Sequence, residues 1–233
     1  MNAVVTGSTK GIGKAIVEIL VSKGINVAIC SRNESEINGF IKDLKASSPR
    51  VKAIGRKTDM SVKSDVLQFA SLVLSEFETV DILVNNAGVF IPGELTQEED
   101  GALEKMIETN LYSAYHLTRA LIPNMVENKS GHIFNMCSIA SQIAYPNGGS
   151  YSISKFALLG FSKVLREELK PKNIKVTSIL PGATWSASWE GANLPKSRLM
   201  EAEDIAKIVW NALEMSPSAV IEDIVIRPQL GDL

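Results

Sequence analysis

Three residues in the second half of the chain have the types and the spacing of a proton-transfer site. Tyr151 and Lys155 stand four residues apart, so on a helix they share one face, and Ser138 lies thirteen residues upstream at the end of an apolar run. A fixed ammonium beside a phenol favours the phenolate, which lets a tyrosine exchange a proton with a substrate oxygen near neutral pH. A serine hydroxyl directed at the same oxygen would help to hold it. Taken alone, the Tyr-x-x-x-Lys pair also suits two exposed residues of an amphipathic helix, so the rest of the chain decides its meaning.

A glycine-rich turn near the N-terminus predicts a phosphate-binding loop. It follows an apolar run at 2–6 and precedes apolar residues at helical spacing, which predicts a strand, a turn and a helix. Glycines let the backbone approach a ligand closely, and the free N–H groups at a helix start suit a pyrophosphate. In this context the G-x-x-x-G-x-G spacing favours phosphate binding over a purely structural turn. The residues of the turn are Gly7, Ser8, Thr9, Lys10, Gly11, Ile12 and Gly13.

Short apolar runs alternate with amphipathic stretches along the chain, which predicts an α/β fold with a doubly wound, seven-stranded parallel sheet. Helices are expected near 11–23, 100–127 and 150–170, and Thr96 with Glu99 has the spacing of a capping box at the start of the second. The two mononucleotide-binding halves suggest the strand order 3-2-1-4-5-6-7. Strands are expected near residues 2–6, 25–30, 51–57, 80–84, 131–137, 174–180 and 221–226.

Ligand sites of such sheets gather at the carboxyl ends of the strands. Gly7, Asp59, Asn85 and Ser138 each lie just past a predicted strand end. The topology therefore predicts that the glycine turn and the proton-transfer residues meet at one edge of the sheet.

Size and composition predict one domain over residues 1–233, since 233 residues with 45% hydrophobic content can bury one sizeable core. A net charge of −2 without long basic runs predicts no basic surface for binding nucleic acid or an anionic membrane. No apolar run is long enough to span a membrane, and the first strand begins too early for a signal peptide, so we expect a cytoplasmic protein.

The cysteines and histidines are expected to be structural. Cys30 and Cys137 lack a C-x-x-C or Cys/His ligand spacing, which indicates reduced thiols and no metal site. His116 and His132 have no evident catalytic partner in the sequence.

Taken together, these motifs resemble the short-chain dehydrogenase/reductase family in its compact single-domain form, over residues 2 to about 228. The order of the motifs matches that of the family. They are the glycine turn, Asp59, Asn85-Asn86-Ala87-Gly88, Asn110, Ser138, Tyr151, Lys155 and Pro181-Gly182. The resemblance implies a Rossmann fold, an oxidoreductase activity and a catalytic tetrad. The tetrad residues would be Asn110, Ser138, Tyr151 and Lys155.

In that family the tetrad supports hydride transfer between the nicotinamide C4 and a carbonyl carbon. By resemblance, Tyr151 would donate the proton to the carbonyl oxygen and Ser138 would hydrogen-bond the same oxygen. Lys155 would hold the nicotinamide ribose and favour the phenolate. Asn110 would organise a water that links Lys155 to bulk solvent.

Charge predicts the cofactor NADP(H) rather than NAD(H). An acid about 20 residues past a glycine turn accepts hydrogen bonds from ribose hydroxyls, whereas a nearby arginine accommodates a 2′-phosphate. No acid stands at the end of the second predicted strand, and Arg32 follows it. Lys10 can reach the same phosphate, and in the resembled family a basic residue there accompanies NADP use. The alternative is that both cations are merely solvated.

The remaining cofactor contacts follow from the resemblance. Asp59 and Met60 would contact the adenine, although Asp59 would also suit the approach to a helix capped by Ser61. Where the family often has a threonine for the carboxamide, this chain has Ser186, with Thr184 as the alternative. The turn Asn86-Ala87-Gly88 would line the adenine ribose, and Pro181-Gly182 would begin the loop beside the nicotinamide.

The substrate stays open between several classes. The chain is similar to 3-oxoacyl-[acyl-carrier-protein] reductases, with Lys129 and Lys172 as candidate contacts for the acidic carrier protein. It is also similar to sepiapterin and pteridine reductases, whose flat substrates, like small diketones, suit aromatic contacts. Trp185 and Trp189 would either line the substrate pocket or pack on the body of the protein. A non-catalytic NADP(H)-binding regulator is the alternative from another class. The family implies a homodimer or homotetramer.

Overall fold

One parallel sheet organises the chain. The computed structural model describes residues 1–185 and 195–231. Its seven strands have the order β3-β2-β1-β4-β5-β6-β7, which confirms the expected topology. The strands are β1 (Asn2–Thr6), β2 (Asn26–Ser31), β3 (Ala53–Lys57), β4 (Ile82–Asn85), β5 (Gly131–Met136), β6 (Ile174–Pro181) and β7 (Asp223–Ile226).

Helices connect the strands and cover both faces of the sheet. In the described ranges none is long and apolar enough to cross a membrane. The α-helices are α1 (Gly11–Ser22), α2 (Glu34–Ser47), α3 (Lys63–Glu76), α4 (Ala102–Ile107), α5 (Ser113–Glu127), α6 (Gly149–Leu169) and α7 (Ala202–Leu213).

The alternation of side chains along β1 explains the two layers of the core. Ala3 and Val5 point to one face, where they join a buried cluster with α1, α2 and α7. Val4 points to the other face, where the cluster includes side chains of α3, α5 and α6. Because both faces are buried, the central strands β1 and β4 are mostly apolar.

The helix expected near 100–127 is in fact three segments. A π-helical stretch, Glu108–Tyr112, separates α4 from α5. The expected capping box is wrong, because α4 begins at Ala102 after Gly101, whose φ of 90° is left-handed. Glu98, just before this helix, instead accepts a hydrogen bond from the Ser150 hydroxyl near the start of α6.

The crevice of the sheet lies where β1 and β4 pair side by side, because the strand order reverses there. The Thr6 hydroxyl accepts hydrogen bonds from the backbone N–H groups of Asn86, at 3.0 Å, and Ala87, at 2.9 Å. In return, the Asn86 amide donates to the carbonyls of Thr6, at 2.9 Å, and Gly7, at 3.0 Å. These bonds hold the turns after the two strands together at the carboxyl edge.

We expect Thr6→Val to lower the free energy of unfolding by about 1–3 kcal/mol, because it leaves two backbone donors without their acceptor while keeping the volume of the side chain. Urea denaturation would measure the change. Thr96→Val, at an exposed position, is the matched control and should be nearly neutral. Equal stability of the two variants would mean that the Thr6 hydroxyl does not hold the crevice.

Candidate active site

Helix α6 holds Tyr151 and Lys155 on one face, as their spacing predicted. The Lys155 Nζ lies 5.7 Å from the centre of the Tyr151 ring. It is almost completely buried, with 4% of the residue exposed, and donates a hydrogen bond to the Met136 carbonyl at 2.8 Å. Because Met136 is the last residue of β5, the ammonium is fixed at the carboxyl edge of the sheet.

Ser138 lies two residues past β5, where it caps a short 3-10 helix, Ile139–Ser141. Its hydroxyl accepts a hydrogen bond from the backbone N–H of Ala140 at 3.1 Å, and its own N–H donates to the Ser141 hydroxyl at 3.2 Å. This reciprocal cap orients the Ser138 hydroxyl. Because the hydroxyl acts as an acceptor in the cap, its proton can be donated to another oxygen.

Asn110 is buried in the π-helical stretch and connects the 89–101 loop to α6. Its Oδ1 accepts from the Val89 N–H at 2.7 Å, and its amide donates to the Val89 carbonyl at 3.0 Å. The same amide donates to the Ser154 hydroxyl at 2.9 Å, which donates to the Tyr151 carbonyl at 2.7 Å. Asn110 thus supports the first turn of the helix that carries Tyr151, and its water-organising role stays a prediction.

Phe90 packs edge-on against Tyr151, with the ring centres 5.0 Å apart. Half of Phe90 is nevertheless exposed, at 51%. Its loop is attached to the start of α6 by backbone hydrogen bonds from Gly93 to Asn147, at 2.9 Å, and from Gly149 to Gly93, at 3.2 Å. An exposed aromatic ring therefore stands beside the tyrosine at a fixed position.

The glycine turn forms a cradle that side chains would fill. Gly7 and Gly11 have φ angles of 61° and 51°, which favour glycine. A Cβ on Gly13 would lie 2.3 Å from the Gly7 carbonyl oxygen and 2.5 Å from the Asn86 amide nitrogen. No side chain caps the start of α1, so its first N–H groups are open to an anion. These features fit a dinucleotide pyrophosphate.

The cradle and the proton-transfer residues share one crevice. A Cβ on Gly88, in the turn after β4, would lie 3.2 Å from the Asn110 Oδ1 and 3.5 Å from the Lys155 Nζ. The same turn is hydrogen-bonded to Thr6 at the start of the glycine turn. The structure therefore joins the two groups of residues that the sequence analysis linked by topology.

Comparison with known proteins agrees with this geometry. The family described as short chain dehydrogenase matches residues 1–196. The chain belongs to the short-chain dehydrogenase family. The expected family and the expected Rossmann-type fold are both confirmed.

Relatives of this dehydrogenase resemble it over nearly its whole length. An uncharacterised oxidoreductase of Staphylococcus epidermidis is 30% identical, over 97% of this chain and 96% of its own. A metagenomic short-chain oxidoreductase, solved in complex with NADP, is 30% identical with a TM-score of 0.85, over 98% of this chain and 97% of its own. The L-sorbose reductase of Gluconobacter frateurii, solved with NADPH and L-sorbose, is 25% identical with a TM-score of 0.90, over 97% of this chain and 95% of its own.

The predicted 2′-phosphate residues of the dehydrogenase lie beside the glycine turn. Arg32 is exposed just past β2. Lys10 is also exposed, but its Nζ lies 3.0 Å from the Glu36 carboxylate on α2. None of the sequence motifs pointed to this acid. The spacing of Asn33, which caps α2, and Glu36 could have indicated it as a capping pair.

The predicted adenine residues follow β3. The Asp59 carboxylate accepts hydrogen bonds from the hydroxyl and the N–H of Ser61, at 2.7 and 3.0 Å. These bonds, with a smaller contribution from the charge of Arg32, hold the pKa of Asp59 below its usual value. Ser61 does not cap α3, since Val62 precedes that helix. Met60 is buried, with its sulfur 3.7 Å from the Cys30 sulfur.

The loop after β6 is described in part. The Thr184 hydroxyl donates to the Gly182 carbonyl at 3.0 Å, and the N–H of half-buried Trp185 donates to the Met200 carbonyl at 2.8 Å. Ser186 and Trp189 lie outside the described residues, so their proposed contacts and the choice between Thr184 and Ser186 stay predictions.

The cysteines and His132 are buried in environments that do not suit a catalytic role. Burial raises the pKa of Cys30 to about 12 and that of Cys137 to about 11, so both remain thiols at neutral pH. Burial lowers the pKa of His132 to about 3, which keeps its ring neutral against the Thr177 hydroxyl at 2.7 Å. No metal-binding group of three His, Cys, Asp or Glu side chains occurs among residues 1–185 and 195–231.

We expect Gly13→Ala to weaken NADPH binding at least about tenfold, because the new methyl group must displace the backbone of the glycine turn. Gly39→Ala is the matched control, since a Cβ there would meet nothing within 4 Å. Fluorescence titration with NADPH would measure both variants. Wild-type affinity in Gly13→Ala would show that the turn does not hold the dinucleotide.

Proposed function

We propose that the protein is an NADP(H)-dependent carbonyl reductase acting on a small molecule. Asn110, Ser138, Tyr151 and Lys155 would serve it as the catalytic residues and their support. The observation that carries this proposal is the buried Lys155 ammonium beside Tyr151, in the same crevice as the glycine cradle. A protein that bound the dinucleotide without chemistry would have no need of a phenol beside this buried charge.

Lys155 holds its positive charge beside the Tyr151 ring, where it would stabilise negative charge that develops on the phenol oxygen during proton transfer. Burying an ammonium is costly unless it is hydrogen-bonded. Among the described residues, the Lys155 ammonium donates its hydrogen bond to the Met136 carbonyl. An ammonium has three donors, so two remain for the Tyr151 phenol and the ribose hydroxyls of the cofactor. A charge held in this way also needs little reorganisation during the reaction.

Proton transfer and hydride transfer together convert the carbonyl to an alcohol. When bound, NADPH would supply a hydride for the carbonyl carbon. Tyr151 gives its phenolic proton to the carbonyl oxygen, and Ser138 donates a hydrogen bond to that oxygen as negative charge develops on it. In the reverse direction the tyrosinate accepts the proton of the alcohol.

Two cations support NADP(H) as the cofactor. Lys10 extends from the glycine turn and Arg32 from the end of β2, and charge-assisted hydrogen bonds from both would hold a 2′-phosphate. The metagenomic oxidoreductase and the L-sorbose reductase were solved with NADP and NADPH respectively.

The apolar surface around Tyr151 supports a substrate with an apolar or aromatic group next to its carbonyl. Phe90 stands edge-on to the tyrosine, and Leu95 of the same loop is exposed beside Gly149. Ile143, also exposed, belongs to the segment that joins Ser138 to α6. Such a surface suits aryl ketones, diketones and flat heterocycles.

A second candidate substrate is a 3-oxoacyl group on an acyl carrier protein, which Lys129 and Lys172 would recognise. The Asn173 amide donates to the Lys129 carbonyl at 2.8 Å, so the two cationic turns are neighbours. Both turns precede strands, β5 and β6, and so lie at the amino edge of the sheet, opposite Tyr151. A carrier bound there would have to serve the site of another subunit, which favours the small-molecule proposal.

Pairing of two copies through α6 is part of the proposal. Three large apolar residues of this helix are between 40% and 57% exposed in the single chain. A second α6 would cover them, as the family's dimers imply. These residues are Ile153, Phe156 and Val164.

We expect Tyr151→Phe to reduce carbonyl turnover at least about a hundredfold, the effect of losing a general acid. Folding and NADPH binding should persist, since the ring that packs against Phe90 remains. NADPH oxidation with a panel of diketones, pterins and ketoacyl thioesters would measure turnover. Tyr115→Phe, on α5, is the matched control. Turnover of Tyr151→Phe close to that of this control would refute the catalytic assignment.

Two variants separate the substrate classes. We expect Phe90→Ala to slow reduction of aromatic ketones at least about fivefold, because it removes an aromatic contact beside the reacting carbonyl. The double variant Lys129→Glu, Lys172→Glu should leave these ketones within about twofold of wild type. Steady-state kinetics with an aryl diketone and a carrier-bound 3-oxoacyl substrate would measure both. Selective loss of the carrier-bound substrate in the lysine variant would favour the second candidate instead.

A further inference from the structure

Glu36 is an acid that binds Lys10, one of the two cations proposed to hold the cofactor's 2′-phosphate. One carboxylate oxygen lies 3.0 Å from the Lys10 Nζ, and the other accepts a hydrogen bond from the Thr9 hydroxyl at 3.0 Å. The Asn33 amide donates to the first oxygen at 3.2 Å. The carboxylate therefore already binds donors from the glycine turn, including a lysine assigned to the phosphate.

The position of Glu36 follows from the pairing of β1 and β2. The ends of these parallel strands are in register, Thr6 with Cys30, and the Ser8 hydroxyl donates to the Cys30 carbonyl at 3.2 Å. In this fold the adenine ribose lies between the glycine turn and the end of the second strand. The first turn of α2, which carries Glu36, begins within three residues of that strand end.

The carboxylate keeps its charge in the free protein. The hydrogen bond from Lys10 is the main cause that lowers the pKa of Glu36, and those from Thr9 and Asn33 act in the same direction. Its place in the first turn of α2 also favours an anion, because of the helix dipole. At neutral pH a bound 2′-phosphate therefore meets a second anion.

We propose that Glu36 opposes the 2′-phosphate and so limits the preference of the enzyme for NADP(H) over NAD(H). To bind both cations, the phosphate must displace the Glu36 carboxylate from Lys10. Thr9 and Asn33 also donate hydrogen bonds to this carboxylate and so oppose its displacement. If the carboxylate stays, the two anions repel each other. NAD(H) carries a neutral hydroxyl at this position, so its binding is not opposed. This inference rests on the proposed use of NADP(H).

A purely structural role for Glu36 makes a different prediction. Asn33 and Glu36 hydrogen-bond each other as a capping pair for α2, which would by itself explain an acid here. Glu36→Gln keeps an oxygen that can accept from Thr9 and Asn33 while it removes the charge. The variant therefore separates the electrostatic role from the capping role.

The experiment is a calorimetric titration of wild type and Glu36→Gln with NADPH, NADH and 2′,5′-ADP. We expect the variant to bind NADPH and 2′,5′-ADP about three to ten times more tightly, the effect of removing one like charge a few ångströms away in a solvated site. NADH affinity should stay within about twofold. The gain should shrink at high salt, because ions screen the repulsion. Glu18→Gln is the matched control, because it removes the charge of an exposed acid on α1 that pairs with Lys14. It should leave the affinity for all three ligands unchanged.

A double-mutant cycle with Lys10→Ala tests the competition itself. Without the lysine there is no shared cation, so Glu36→Gln should improve NADPH binding less in that background. Unchanged NADPH affinity in Glu36→Gln would reduce Glu36 to a helix cap and overturn the inference. Weaker NADH binding in the variant would do the same, since it would make Glu36 a ribose acceptor.

The outcome also distinguishes this inference from the function on which it rests. If neither wild type nor Glu36→Gln binds NADPH more tightly than NADH, the cofactor assignment fails, and the role of Glu36 fails with it. If wild type prefers NADPH and Glu36→Gln does not strengthen that preference, the inference on Glu36 alone is wrong.

Discussion

The hydrogen bond from the Lys155 ammonium to the Met136 carbonyl is the contact on which the rest of the site depends. A buried ammonium must be held by an acceptor, and the last carbonyl of β5 supplies one at 2.8 Å. The bond ties the Lys155 ammonium of α6 to the carboxyl end of β5. Because Tyr151 is one helical turn away from Lys155, its ring lies beside the same strand end. The chemistry of the site thus depends on a contact between a strand end and a helix.

Around this contact the protein uses neutral hydrogen bonds to keep the parts in place. Asn110 joins the 89–101 loop to α6 through Val89 and Ser154, and its amide makes these bonds from a π-helical stretch. π-helical stretches are frequent at functional sites. At the other end of the crevice, Thr6 and Asn86 join the two turns that flank the cofactor cradle. Hydrogen bonds between elements therefore hold both sides of the crevice together.

The sequence predicted the fold and most of the site because both follow from local patterns. Apolar runs placed every strand to within two residues, and the carboxyl-edge rule placed Gly7, Asn85 and Ser138 at one edge of the sheet. The π-helical stretch at Asn110 could not be predicted, since one extra residue in a helical turn leaves no periodic signal. Glu36 was missed for another reason. Its ion pair joins two elements that are distant in sequence, and only the packing of α2 beside the glycine turn brings them together.

The attachment of the 89–101 loop to α6 constrains how this enzyme could acquire new substrates. Gly93 forms a parallel bridge with Gly148, and Glu98 binds Ser150, one residue before Tyr151. A loop grafted from a relative would have to reproduce this short β-bridge, or it would shift Tyr151, the proposed proton donor, along with the pocket wall. A change of this loop would therefore alter the substrate range and the catalytic rate together. A new substrate preference is easier to reach by substituting a single exposed residue such as Phe90 than by exchanging the whole 89–101 loop.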